Sequence, residues 1–521
     1  MAFCAASRSR HHFATEVGEE HARDPLVPER TSRIAAWQGA APRRDASFVC
    51  AAHGVLDVVA MRAVCLAAAV TVALLGCSGC SKKEAEAEKR VEDAARAPAP
   101  EKPVEKEVAR NAGDAGGAPE RADAALAGGP YNVLLLTIDS LRADMPWAGY
   151  ERPIAPRLSA LHARSVSYDN GYSTSSFTSK SVPGMLTGRY PSELVRTGSF
   201  FTRYLSADQF VCKHLAAEGI PCVGGHAHMY FAPGTSGFET GFAAWKIVPG
   251  ITFDYQTDPY VTSDKLTPLA IEMLKNVSAP ADGGERPFFA WFHYMDPHDQ
   301  YKAHEESPKF GKRARDLYDE EVFYTDLWIG KLLDFVEAQP WAKKTAIIVT
   351  ADHGEAFGEH GIYRHAHEVW EELVHVPFFF YVPGVTPRRI AAARGHADLA
   401  PTVVELLGAK NVPALPGKSL LKELAGGEAE ERDVIVDLPE DDYNERRRAL
   451  IYGRKKLIAF GNDVRFSLFD LEADPREQTD LIKKEPELAA EMRRRYKEAS
   501  KKIEDVAPRG GIPKKDAKKE K

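Results

Sequence analysis

The chain has 521 residues, of which 44% are hydrophobic and 27% charged, with a formal net charge of −7. That ordinary, mildly acidic balance argues against a nucleic-acid partner, and no stretch carries the basic stripe such binding needs. Length alone leaves room for more than one domain.

In chain order, residues 1–60 are Arg- and His-rich without apolar periodicity and are expected to be a non-native or unstructured leader. From Met61 the sequence runs MRAVCLAAAVTVALLGCSGCSKK. A basic start, an apolar run from Ala63 to Leu75 and small residues at its end predict a secretory signal over 61–77. A membrane span needs about 20 apolar residues, so the run is too short for one. Since a signal belongs at an N-terminus, Met61 is the expected start. Leu74-Leu75-Gly76-Cys77 resembles the lipobox of bacterial lipoproteins, which implies a lipid on Cys77; Cys80 fits that pattern less well. The expected place is then the bacterial cell envelope, anchored to the membrane by lipid and facing the periplasm or the outside. Residues 78–130 hold no aromatic side chain and are expected to be a disordered tether.

At Tyr131 the texture changes. NVLLLTID, PFFAWFHYMDPH (Pro287 to His298) and TAIIVTADHGEAFGEH (Thr345 to His360) are near-continuous apolar runs ending in Asp and His. Such runs suit parallel strands covered on both faces. Between them DLYDEEVFYTDLWIGKLLDFVEA has the 3.6-residue apolar period of a helix. The fold class is therefore α/β, a sandwich around a central, mostly parallel sheet, with ligands expected beyond the strands' carboxyl ends. Asp139, His298, Asp352 and His353 fall at those ends. VIVDLPEDD, RRALIYGRKKLIAFG and VRFSLFDLEADPREQTDLI then predict a small antiparallel sheet followed by a charged helix. The expected boundaries are 131–425 for the main domain, 426–505 for the small-sheet subdomain and 506–521 for a disordered tail. Cys212 and Cys222 are either a disulfide or two buried thiols, and the sequence leaves both open.

TIDSLRAD, LTGRYP, HYMDPH, VTADHGEAFGEHG, EVWEELVHVP, DLAPTVVELLG and SLFDLEADPREQTDL, in that order, resemble the sulfatase family of the alkaline phosphatase superfamily. The resemblance runs from Tyr131 to about Lys501 and implies an alkaline-phosphatase-like sandwich. It also implies a metal-dependent hydrolase of sulfuric or phosphoric esters. It places one divalent ion (Zn, Mn or Ca) on Asp139, Asp352, His353 and Thr178. Oxygen and imidazole ligands at strand ends suit such an ion. The family's second Asp is replaced by Ser140, which weakens the case for oxygen-hungry Ca²⁺.

Formylglycine-dependent members resemble Cys/Ser-x-Pro/Ala-x-Arg ahead of Leu-Thr-Gly-Arg. Here Thr178 takes the Cys/Ser position, Lys180 the Pro and Val182 the Arg. Threonine cannot become the formylglycine aldehyde. The resemblance is thus to members with a Thr nucleophile, activated by a cation that lowers the hydroxyl pKa. Lys180, His298 and His365 are expected to compensate charge on the ester oxygens. His360 and His367 compete for the role of His365. Arg142 is expected to brace the metal carboxylates and Arg189 to hold the nucleophile helix. His226, His228 and His396 are expected to be structural. The expected substrate is a small-molecule, glycan or lipid ester. Two other readings are a phosphotransferase of the phosphoethanolamine or glycerophosphate type and a tethered binding lipoprotein without turnover.

Overall fold

The computed structural model describes residues 126, 129–252, 260–279 and 286–513. The expected leader, signal, lipidation site Cys77, nearly all of the tether and the end of the tail lie outside the described residues.

The apolar runs form the middle of the main sheet because neither of their faces meets water. Strands β1 (Asn132–Ile138), β5 (Phe289–Tyr294) and β6 (Thr345–Ala351) are buried at every position. With β2 (Val166–Tyr168), β3 (Cys222–His226), β4 (Ala244–Ile247), β7 (Phe378–Tyr381) and β8 (Arg388–Ile390) they build eight strands in the order β8-β2-β7-β6-β1-β5-β3-β4. Only β7 runs antiparallel to its neighbours. Strands buried on both faces need a cover on each side. Helices α1 (Pro156–His162), α3 (Ser263–Ser278) and α4 (Ala314–Glu337) pack together in one group, and α2 (Thr178–Thr187) packs on α5 (Leu399–Leu406) in another. Each large apolar side chain moved out of water in this core contributes about 1.5–3 kcal/mol.

A second sheet of four antiparallel strands follows: β9 (Val434–Leu438), β10 (Arg447–Tyr452), β11 (Lys455–Phe460) and β12 (Arg465–Asp470). Its two faces sort with the period of two that a strand imposes. Val434, Val436, Ile451, Ile458 and Phe469 join one core with Leu373 and Val374. Ile435, Leu450, Leu457 and Leu468 join another with Met492 and Tyr496 of helix α6 (Pro486–Ser500). The α/β class, the mostly parallel sheet and the small antiparallel sheet are as the sequence predicts. Cys212 and Cys222 are joined in a disulfide. Among the described residues no helix is long and apolar enough to cross a membrane.

Candidate active site

Strand β1 lies between β5 and β6, parallel to both, with Ile138 opposite Tyr294 on one side and Ala351 on the other. All three strands therefore end at one level. The next residues of β1 and β6 are Asp139 and the pair Asp352-His353, all fully buried. Ser140 turns the chain with a left-handed φ of 58°. Its hydroxyl donates to Asp139 Oδ1 at 2.7 Å and its N–H to Asp352 Oδ1 at 3.3 Å. A serine here feeds hydrogen bonds to the two carboxylates where a third carboxylate would repel them.

Thr178 is the first residue of α2, following extended Phe177. Pro183 lies inside this helix and has no N–H for the Ser179 carbonyl, which instead accepts from Tyr204 Oη at 2.8 Å. Gly184 lets the helix press on Thr174, whose side chain would collide with any Cβ there. These contacts fix the helix start, where Thr178 Oγ1 lies 3.2 Å from Asp139 Oδ2 and 3.0 Å from His353 Nε2.

The imidazoles are held by their far nitrogens. His353 Nδ1 donates to the Gly354 carbonyl at 2.9 Å, leaving a lone pair on Nε2. Burial, together with neighbouring His365, pushes His353 down to about 3, so the ring is neutral and able to act as a ligand. His365 Nδ1 lies 3.2 Å from Glu355 Oε1, and Tyr301 donates to Glu355 Oε2 at 2.8 Å. Burial opposes charge on His365, but Glu355 outweighs it and its pKa is raised.

Asp139, Asp352 and His353 each offer a ligand atom, and these lie within 4.8 Å of one another. Asp352 Oδ2 is buried without a hydrogen-bond partner. Burial, and then the charge of Asp139, drives Asp352 well above the usual carboxylate range. Asp139 resists the same burial through His298, His293 and His353, and stays well below that range. Two carboxylates in conflict, an orphaned oxygen and a neutral imidazole are a donor set that fits a divalent cation.

Above Thr178 opens a cavity of about 200 Å³. Thr178, His298, His365 and His367 face it, and Phe177, Phe200, Phe201, Tyr230 and Phe231 form its apolar walls. Three expected residues lie elsewhere. Lys180 turns away into the protein, where its ammonium meets Asp441 Oδ2 at 3.0 Å, the Ser199 and Phe200 carbonyls at 3.1 Å and Thr202 Oγ1. It has no donor left for an ester oxygen. His360 stacks on Trp370 at 4.0 Å, outside the cavity. Arg142 does not touch Asp139 or Asp352, which it was expected to brace; it holds the Glu355 carbonyl, and its salt bridges are to Asp144 and Glu359 at 3.0 Å. Arg189 follows the helix end at Gly188, its N–H donating to Thr187 Oγ1 at 3.2 Å. His226 is buried among Phe231, Trp245 and Trp291, and His396 meets Thr350 Oγ1 at 2.9 Å. His228, expected to be structural, lines the cavity.

Sequence reasoning misses His293 and Glu355. His293 Nδ1 is 2.7 Å from Thr137 Oγ1 and its Nε2 is 3.2 Å from Asp139 Oδ2. The available signal was a histidine inside an otherwise apolar central strand, paired in register with Thr137 of β1.

Residues 131–409 match the family described as Sulfatase, and residues 358–503 match N-sulphoglucosamine sulphohydrolase, C-terminal. The chain is 24% identical to a choline-sulfatase of Rhizobium meliloti (strain 1021) over 427 residues, 68% of this chain and 82% of that protein. It is 29% identical to arylsulfatase K of Mus musculus over 188 residues, 34% of each chain. Among solved structures, one in complex with its substrate D-glucosamine-2-N,6-O-disulfate superposes with TM-score 0.60 at 18% identity, covering 73% of this chain and 99% of that one. The phosphonate monoester hydrolase of Agrobacterium radiobacter superposes with TM-score 0.57 at 17% identity, covering 72% and 96%.

Proposed function

Since this chain belongs to the sulfatase family and is an ester hydrolase of that family, we propose that it cleaves sulfuric or phosphoric esters with Thr178 as nucleophile in place of formylglycine. The observation that carries this reading is the Thr178 hydroxyl at the start of α2, 3.0 Å from His353 Nε2, 3.2 Å from Asp139 Oδ2 and open to the cavity. Asp139, Asp352, His353 and Thr178 would hold one divalent cation, Zn²⁺ or Mn²⁺ suiting this mixed set better than Ca²⁺. When bound, such a cation lowers the pKa of a nearby hydroxyl and polarises an ester oxygen.

Thr178 Oγ1 attacks the sulfur or phosphorus as it gives up its hydroxyl proton, and the bond to the leaving oxygen breaks. That oxygen leaves as the alcohol after taking up a proton. Water then takes the transferred group and restores the threonine hydroxyl. His298 and His365 face the cavity and donate to the non-bridging oxygens, while the N-terminus of α2 adds the positive end of its dipole. The small cavity with aromatic walls suits a single ester group on a compact, apolar-faced alcohol. The buried disulfide supports export to an oxidising compartment, in keeping with a lipid anchor at Cys77 in a bacterial envelope.

The test is turnover of aryl sulfate and aryl phosphate esters. Thr178→Ala should lose on the order of 10³-fold or more in kcat, because a covalent route disappears. Thr178→Ser keeps the hydroxyl and should retain measurable activity. Coexpression with a formylglycine-generating enzyme should leave the wild type unchanged. A fully active Thr178→Ala protein would move the chemistry to water.

A further inference from the structure

A second set of ligand-bearing side chains lies away from the cavity. His360, Glu372 and Glu477 come from three separate segments, yet each places one ligand atom within 4.8 Å of the others. His360 Nε2 and Glu372 Oε1 are buried and neither makes a hydrogen bond, while Glu477 Oε1 has the Lys456 ammonium beside it. Buried polar atoms are nearly always partnered, so two orphans within one cluster of ligand-bearing side chains call for something between them.

The local charge shows what that is. Glu371 has the Lys456 ammonium at 2.9 Å and the His375 imidazole at 3.6 Å. Glu477 Oε1 shares the same ammonium at 3.0 Å. Glu372 has no ion-pair partner among the described residues. Lys456 therefore cannot neutralise all three carboxylates. The His360 ring lies flat on Trp370, 6° from parallel, which fixes its plane.

We propose that His360, Glu372 and Glu477 form a second divalent-cation site. One imidazole and two carboxylates suit Zn²⁺ or Mn²⁺, with water completing the shell. The site is structural. It joins the segment that leads from His360 to Arg364, His365 and His367 on the cavity wall with the Glu477 loop that follows β12. It does not depend on the reading of Thr178.

The test uses the full chain, stripped of metal by a chelator and titrated with Zn²⁺ alone and with Mn²⁺ alone. Asp352→Asn removes the active-site contribution, so this variant should still bind one equivalent and gain thermal stability on titration. Adding Glu372→Gln, or separately His360→Gln, should abolish both the equivalent and the thermal shift. Two variants guard against one simply misfolding, and each should match its Asp352→Asn parent by circular dichroism in chelator. Equal binding with and without Glu372→Gln and His360→Gln, or no binding by Asp352→Asn alone, overturns the proposal. A failure of the active-site metal would look different: Asp352→Asn would bind as many ions as the wild type.

Discussion

The side chains of Lys180 and Asp441 are each 1% exposed and 3.0 Å apart, a buried ion pair between α2 and the loop after β9. Burial pulls the ammonium down to about 8 even though Asp441 favours its charge. The sequence places Lys180 two residues after Thr178, and that spacing decides its direction. In a helix, residues two apart point to nearly opposite sides, so Thr178 and Lys180 cannot both face the ester. The partner was hidden, since Asp441 is a local neighbour only after the second sheet has docked. Removing one member of a buried pair strands the other's charge at about 3–5 kcal/mol. Lys180→Met should therefore lower the unfolding free energy read from urea titration by that scale, while KM for an aryl ester stays within about twofold in the protein that remains folded. Unchanged stability with a tenfold rise in KM would return Lys180 to the substrate. Asp139, Asp352 and His353 were legible because a strand-terminal position fixes direction without any long-range partner. Glu355 was not, because its effect reaches the cavity only through His365.

At the scale of elements, α4 shows what periodicity reveals and what it conceals. Its 3.6-residue apolar pattern predicts a helix, and one spans Ala314–Glu337. The pattern does not say why Asp316, Asp319, Glu320, Glu321 and Asp326 on that helix are buried. Asp326 supplies a cap to another helix. α1 begins with Ala155 at its N-cap, which has no side-chain acceptor, and Asp326 accepts from Arg157 N–H at 2.9 Å and Leu158 N–H at 2.7 Å. Burial is the larger influence and pushes this carboxyl up to about 7 despite those two bonds. The folded pKa lies above the unfolded value, so the folded state holds the proton more tightly. Its contribution is fully present below about pH 4 and is lost as pH rises towards 7, with a slope of up to about 1.4 kcal/mol per pH unit. Asp326→Asn keeps an acceptor but cannot ionise. Urea midpoints between pH 4 and 8 should show the variant gaining on the wild type as pH rises. Parallel profiles would mean that Asp326 does not titrate in this window.

Across the whole molecule, the central sheet was legible because fully buried parallel strands leave unbroken apolar runs. The second sheet was legible because its two faces alternate. Cross-links between distant segments were not, and the disulfide is the clearest case. Spacing allowed Cys212 and Cys222 to bond or to stay apart. The fold decides by bringing the helix Val211–Ala217 beside the first residue of β3, with both sulfurs buried. A closed loop with a sequence separation of 10 restricts the unfolded chain. For loops of this size the chain-entropy model gives about 2.5–3 kcal/mol. Cys222 opens a strand of the main sheet, so loosening it acts on the same cooperative unit that sets the level of Asp139 and Asp352. The doubly substituted Cys212→Ser, Cys222→Ser chain should therefore unfold at lower urea, its unfolding free energy reduced by that amount. Wild-type protein made in a reducing cytoplasm should fall to the same midpoint until it is oxidised. Mass spectrometry of the exported, non-reduced protein should find the Cys212 and Cys222 peptides joined. Free thiols in exported protein, or equal midpoints for the oxidised wild type and the double variant, would remove the disulfide as a support for an envelope location. The lipid on Cys77 would then have to be established from membrane-fraction peptides alone.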